Sequence, residues 1–468
     1  MTDRREFIPW IVACALLMQN LDSTAVTTAV PQMAHSLGVA PIKLSAAVTS
    51  YVLAVAVFLP ASGWAADRFG ARTIFATAIG LFTLASMACG LAPDLTSLVI
   101  ARVVQGMGGA MMVPVGRLIL VRSVPRERLI QVMARTTTPA LVGPALGPLA
   151  GGLLTSYASW RWIFFINLPI GIVGIALVLL LVPNIKGERE ALGRFDLIGF
   201  LISGVALGSF VAGLEGLSRP GGVLGGVILL LLVAAAAAIG YWWHARRCAR
   251  PVIDLSLFRH ASFAAGAGGG SLFRLGAGAL PFLMPMLLQV GFGMSPIASG
   301  STTFLTAIGA LTSKSFARPL LRKLGFRVVL VGNALASGVV LGSLALIRPT
   351  TSHALLVVAL FVGGMLRSIQ FTSMNSVTYA DVAPAEEGQA NTVANVAQQL
   401  SISVGVAVAA IMLQVAQAVR GSSHLTAPDF PPAFLLIGLL TAASAWWFAR
   451  LDAGAGAEMT GHVRRVSS

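Results

Sequence analysis

Fourteen apolar stretches recur along this 468-residue chain, each near the roughly 20 residues that a helix needs to cross a bilayer. They run Phe7 to Ala29, Leu44 to Gly63, Thr73 to Leu91, Leu95 to Ile119, Ile130 to Thr155, Trp162 to Val182 and Leu197 to Leu214. A second seven run Val223 to Trp243, Phe263 to Gln289, Ile297 to Phe316, Val328 to Ile347, Leu355 to Tyr379, Gln389 to Ala416 and Ala433 to Ala449. Hydrophobic residues are 56% of the chain and charged ones 10%, which excludes an ordinary soluble domain. In hydrocarbon a spanning segment must satisfy its own backbone, so stretches of this length predict an all-α polytopic membrane protein with 14 transmembrane helices. The first stretch follows Arg4 and Arg5 as a signal peptide would. It is too long, carries Asp22 and lacks a small-residue cleavage site, so it counts as a span.

The net charge of +15 would point to nucleic acid in a soluble protein, but here its distribution over the loops carries the information. With the amino terminus in the cytoplasm, 21 of the 32 Lys and Arg lie on cytoplasmic segments. Five lie outside: Lys43, Arg161, Arg219, Arg348 and Arg420. That asymmetry places both termini inside and predicts no nucleic-acid partner. Cys14 and Cys89 fall in spans and Cys248 in a cytoplasmic loop, so no disulfide framework is implied. Polar stretches from Pro183 to Asp196 and from His244 to His260 divide the chain. Residues 7–182 form a first six-helix bundle, 183–260 two linking helices with cytoplasmic loops, 261–450 a second six-helix bundle and 451–468 a cytoplasmic tail. DRFGAR from Asp67 is echoed by RKLGFR from Arg322, each joining the second and third spans of its bundle, as in an internal repeat.

Within the fifth stretch, GPALGPLAGG sets Gly143, Gly147 and Gly151 at i, i+4 and i+8. They line one helix face and let another backbone approach closely, beside Gly152. Pro144 and Pro148 follow the same spacing and would bend the helix. A sliding seam and plain tight packing both fit such a face. Asp22 is the one carboxylate well inside a predicted span, and charge in hydrocarbon costs at least about 2.5 to 3.5 kcal/mol. It lies about seven residues from the external end of its span, as Arg102 does in its own, so both sit roughly 10 Å deep and within reach of pairing. Two readings stand, a proton-coupling switch and a static ion pair. Arg117, Arg135 and Lys314 lie near span ends, where long stems reach the headgroups. Arg274 and Arg367 lie near the middle of second-bundle spans, where they either line an anion-attracting cavity or bond backbone carbonyls. Asn391, Asn395 and Gln398 repeat at helical spacing, with Gln370 and Asn375 one span earlier; such a stripe either lines the substrate cavity, for which these residues are the candidates, or faces another helix.

These motifs resemble the major facilitator superfamily, and within it the fourteen-spanner drug:proton antiporters. The likeness rests on LDSTAVTTAVP from Leu21, GWAADRFGAR from Gly63, ARVVQGMGGAMMVP from Ala101 and GPALGPLAGG from Gly143. WRWIFFINLPIG from Trp160 and PVIDLSLFR from Pro251 extend it over most of the chain. The family carries Asn where this chain has Thr27, and commonly a basic pair after the loop glycine where it has Ala71 and Arg72. The resemblance implies the major facilitator fold and alternating access around a site between the bundles. It implies a conformational latch at Gly63, Asp67, Arg68, Gly70 and Arg72, and an antiporter motif at Gly143, Pro144, Gly147, Pro148, Gly151 and Gly152. It further implies a bacterial inner membrane as the location and a monomer working with other efflux components.

Enzyme readings find no support. GMGGA at Gly106 follows no strand and lacks the Lys and hydroxyl of a phosphate loop. The six His are scattered and make no metal-ligand spacing, so no metal and no cofactor are expected. With no nucleotide-binding domain in view, the expected energy source is a proton gradient. The expected function is proton-coupled export of small molecules or drugs; the alternative is export of organic anions such as citrate or a metal-citrate chelate.

Overall fold

The computed structural model describes residues 7–123, 126–184, 186, 195–218, 224–383, 386–452 and 454–456, with backbone alone over 126–141. Arg4, Arg5, Arg219, the side chain of Arg135 and the tail beyond residue 456 therefore lie outside the described part. Every regular element among the described residues is helical. In chain order these are α1 (Ile8–Ser36), α2 (Ser45–Phe69), α3 (Ala71–Leu91), α4 (Leu95–Ser123), α5 (Arg126–Tyr157) and α6 (Trp162–Phe165 and Asn167–Leu181). Then come α7 (Leu197–Leu217) and α8 (Leu224–Arg247). There follow α9 (Ala261–Gly291), α10 (Pro296–Thr312), α11 (Lys314–Ser343), α12 (His353–Val377), α13 (Glu387–Arg420) and α14 (Pro431–Phe448).

Glycine stops two helices where the sequence reading drew loops. Gly70, at φ 97°, alone separates α2 from α3, and a Cβ there would overlap the side chain of Asn184. Gly325, at φ 75°, breaks α11 in the same way. Ser313 is helical, so the helix of α10 continues through it to that break. The tenth span is longer than its apolar run because Arg318, Arg322 and Lys323 extend the helix beyond the hydrophobic part. Lys314 accordingly sits eleven residues before the break, farther from a helix end than its sequence position indicates. Asp94 begins α4 by accepting from the Ser97 amide (2.9 Å) and hydroxyl (3.0 Å). Those two bonds hold its carboxyl below the usual carboxylate range. A second buried carboxylate, Glu215, falls within α7, whose helix outruns the apolar run that ended at Leu214.

Two compact units emerge, one of Met1–Gly213, Val223–Val252 and Ser295–Ser301, the other of Leu214–Gly222, Ile253–Met294 and Thr302–Ser468. Lipid tails give apolar helices no solvent-driven reason to associate, so packing must come from close backbone approach at small residues. In the first unit, α5 lies on α1, and Gly106 of α4 meets the Tyr51 carbonyl of α2. Gly108 of α4 meets the backbone of Ala78 and Phe82 in α3. The second unit repeats the scheme: Gly405 of α13 meets Leu275 of α9, Gly364 of α12 meets Thr306 of α10, and Gly338 of α11 meets Gly438 of α14. Outward faces carry large apolar side chains such as Leu180, Leu229, Val339 and Leu439. Arg246 over Trp242 (3.8 Å) and Arg450 over Trp446 (3.5 Å) mark the ends of α8 and α14.

Candidate functional site

Asp22 and Arg102 meet in the interior of the first unit, at 0% and 1% exposure. Arg102 Nη1 donates to Asp22 Oδ2 at 2.7 Å and to Gln105 Oε1 at 2.6 Å, while Nε donates to the Ala47 carbonyl at 3.1 Å. The other carboxylate oxygen, Oδ1, accepts from Gln105 Nε2 (3.0 Å) and Asn167 Nδ2 (2.9 Å). Both amides also reach Ser86 Oγ, at 2.6 and 3.2 Å. The guanidinium lies over the Tyr51 ring, 4.2 Å from its centroid. Five helices, α1, α2, α3, α4 and α6, thus converge on one carboxylate. Gln105, Ser86, Asn167 and Tyr51 were not singled out in the sequence. Gln105 shares a helix face with Arg102 at i+3, and Asn167 lies in the WRWIFFINLPIG motif; those were the available signals.

A fully buried pair of this kind is costly to break on one side, about 3 to 5 kcal/mol, because the partner charge is left uncompensated.

The glycine face of α5 lies directly behind Asp22. A Cβ on Gly143 would approach Asn20 Cβ to 2.9 Å, one on Gly147 would overlap Thr24, and one on Gly151 would come within 2.6 Å of the Ala25 carbonyl oxygen. Gly152 is packed in the same way on Pro296 at the start of α10, within the first unit. The helix runs unbroken through Pro144 and Pro148. Thr27 turns its hydroxyl to the Thr24 carbonyl of its own helix (2.7 Å) and takes no part in the network. In the next motif, Arg161 Nη1 donates to the carbonyls of Gly90 (2.7 Å) and Ala92 (3.0 Å) at the end of α3.

At the other end of α2, Asp67 Oδ1 accepts from Arg122 Nη2 in the last turn of α4, at 2.5 Å. Both side chains are partly exposed, at 31% and 25%. Arg122, not singled out in the sequence, is the partner. Arg68 is exposed and Arg72 half-buried, and neither makes an ion pair among the described residues. Gly63 is exposed, with open space where a Cβ would stand.

The second unit divides the remaining candidates. Arg274 is 1% exposed and gives Nη1 to the Gly266 carbonyl (3.0 Å) within the π-helical turn Ala264–Gly269, so it serves the backbone. Gln370 is fully buried and accepts from Asn333 Nδ2 (2.9 Å), tying α12 to α11. Of the two readings open for each residue, this conformation shows the backbone bond for Arg274 and the helix-to-helix bond for Gln370. Sequence spacing does not tell which face of an apolar helix meets a neighbour. Asn395 donates to the carbonyl and side chain of Asn391, whose Oδ1 also accepts from the Tyr379 hydroxyl at 3.3 Å. Asn375 is exposed and Gln398 half-buried. Arg367 is half-buried and makes no hydrogen bond or ion pair among the described residues. An apolar cleft of about 440 Å³ between α1 and α6, lined by Trp10, Cys14, Met18, Val173 and Leu177, leaves Asp22 outside it.

The family model described as Major Facilitator Superfamily matches residues 12–406 and 266–460. The chain belongs to the major facilitator superfamily. It is 41% identical over 448 residues to a protein of Escherichia fergusonii named "Putative multidrug resistance protein MdtD", covering 94% of each. A protein of the same name from Serratia proteamaculans is 40% identical over 404 residues, covering 86% of this chain and 84% of the relative. The fold is shared with the crystal structure of a D-xylose-proton symporter, at TM-score 0.67 and 16% identity, covering 95% of this chain and 97% of that one. It is shared equally with an inward-facing bacterial homologue of the lysosomal transporter Spinster, at TM-score 0.68 and 12% identity, over 96% and 97% of the two chains. The all-helical fold and the family read from the motifs therefore stand, and the chain is a multi-pass membrane transporter.

Proposed function

We propose that this transporter is a proton-coupled exporter of small molecules or drugs, working by alternating access. The observation that carries the reading is the buried Asp22–Arg102 pair, an ionisable couple sealed among five helices where structure alone would be served by apolar side chains. With Asp22 ionised, Arg102 holds α4 to α1. A proton arriving on Asp22 discharges the pair and frees the guanidinium to be held by Gln105 and the Ala47 carbonyl alone, which favours a second conformation. Substrate binding favours return, with the proton released to the cytoplasm. The names of the 40–41% identical relatives support drugs as the cargo.

A specific observation favours a second reading, export of an organic anion. Arg367 is a cation near the middle of α12 that no described carboxylate neutralises. Inverted membrane vesicles under an imposed proton gradient test both, with cationic dyes and a labelled tricarboxylate as probes. Dye accumulation that collapses with an uncoupler and survives Arg367→Gln establishes the drug exporter. Tricarboxylate accumulation that Arg367→Gln removes establishes the anion exporter. Absence of gradient-driven accumulation of either overturns proton-coupled export.

Asp67 and Arg122 form the proposed latch on α2 and α4. Partly exposed pairs contribute about 1 kcal/mol or less to stability, so Asp67→Asn is expected to leave the melting temperature nearly unchanged while slowing transport. The charge-swapped pair Asp67→Arg/Arg122→Asp is expected to restore the rate. Equal transport by Asp67→Asn and the wild type would show that the pair is an ordinary surface bridge.

A further inference from the structure

The linking helices hold a cluster that transport as described does not use. Asp196 precedes α7 and caps it, its Oδ1 accepting from the Gly199 amide at 2.9 Å; Oδ2 accepts from the Val252 amide at 3.2 Å. The same Oδ1 lies 2.7 Å from His244 Nε2 on α8. Cys248 follows His244 by four residues, and its amide still bonds the His244 carbonyl at 2.9 Å, so both side chains leave one helical face. One oxygen, one nitrogen and one sulfur, from Asp196, His244 and Cys248, all lie within 4.8 Å of one another. The aspartate side chain is 5% exposed and the histidine 24%.

We infer that Asp196, His244 and Cys248 form a binding site for a zinc-class divalent cation. An aspartate–histidine bond alone accounts for two members of the cluster and gives the converging thiol no role. A mixed oxygen, nitrogen and sulfur set is what a borderline-soft, tetrahedral ion takes, whereas magnesium or calcium would demand oxygen donors. Two amide N–H groups already orient the carboxylate, as groups outside the ligand shell of metal sites do. Seating the ion requires the Asp196 oxygen and His244 nitrogen to part from 2.7 Å to about 3.3 Å, the edge of a tetrahedron with 2.0 Å bonds. Three protein ligands leave the fourth position to water, so the site is exchangeable rather than sealed. Its setting gives occupancy a route to the rest of the fold. Phe195 rests on Trp64 of α2 at 5.0 Å, and Trp64 lies three residues before Asp67.

The test is titration of the purified, chelator-treated full-length protein with Co²⁺ at neutral pH. One equivalent is expected to produce thiolate-to-cobalt charge-transfer absorption, and Zn²⁺ is expected to bleach it. Cys248→Ser, nearly isosteric, should abolish the absorption, His244→Ala should weaken Co²⁺ binding at least about tenfold, and the double variant Cys14→Ser/Cys89→Ser should keep the wild-type signal. Gel filtration of each metal-free variant checks its folding, and if His244→Ala does not fold, Cys248→Ser decides. The site is refuted by absence of the charge-transfer band, by its persistence in Cys248→Ser, or by unchanged saturation in folded His244→Ala.

Discussion

Asp22→Asn is expected to bring proton-driven accumulation in inverted vesicles to background while the protein still reaches the membrane. The substitution keeps the shape and the acceptor oxygen but removes the titrating group. It also leaves Arg102 buried at 1% exposure with no anion, a situation that costs about 3 to 5 kcal/mol in comparable buried pairs. Lost transport could then reflect lost stability, and a double-mutant cycle separates the two. Asp22→Asn/Arg102→Gln removes both charges and is expected to melt well above Asp22→Asn, because no bare guanidinium remains. If the carboxylate couples transport to protons, the double variant regains stability and stays inactive. Recovery of gradient-driven transport together with stability would show that the pair only holds helices together.

Gly151→Ala is expected to produce the second large effect from a single added methyl group. That carbon would stand 2.6 Å from the Ala25 carbonyl oxygen and 3.1 Å from its Cα. The obstacle is backbone, so no rotamer change relieves it. Overpacking of this kind costs about 1 to 3 kcal/mol, and here it is relieved by pushing α1 off α5, three residues along from Asp22. Transport should fall steeply while membrane insertion persists. Gly240→Ala on α8, where a Cβ meets nothing within 4 Å, serves as the control and should transport normally. Wild-type rates in Gly151→Ala would mean that the α1–α5 contact has slack that the motif does not exploit.

Span number, helical class and family could be read from the sequence because each depends on local runs of residues. The length of an apolar run reports a span wherever hydrocarbon is the solvent. Asp22 and Arg102 could be read as a pair for the same reason, since two costly charges at equal depth have few alternatives. Their remaining partners were hidden. Asn167 reaches Asp22 across 145 positions and Gln105 across 83, and neither residue is unusual enough in a span to announce a contact. Arg122 is one of several basic residues near the end of α4, and nothing in its position marks it as the partner of Asp67, 55 positions away. For Arg274 and Gln370 the sequence leaves cavity and helix contact equally open, because polarity in a span signals importance without signalling direction. His244 and Cys248 stand one helical turn apart, but nothing in the sequence brings Asp196, 48 positions earlier and just ahead of α7, to their side.

The Asp22 network is closed by residues that all lie before Leu181, the end of α6. Its five contributing helices leave the ribosome while the second half of the chain is still unwritten. Domains generally fold as units from the amino terminus onward during synthesis. The nascent first half therefore has within itself every group needed to bury its two charges. This order of events relieves the insertion machinery of holding a bare arginine and aspartate in lipid while waiting for partners from the later half.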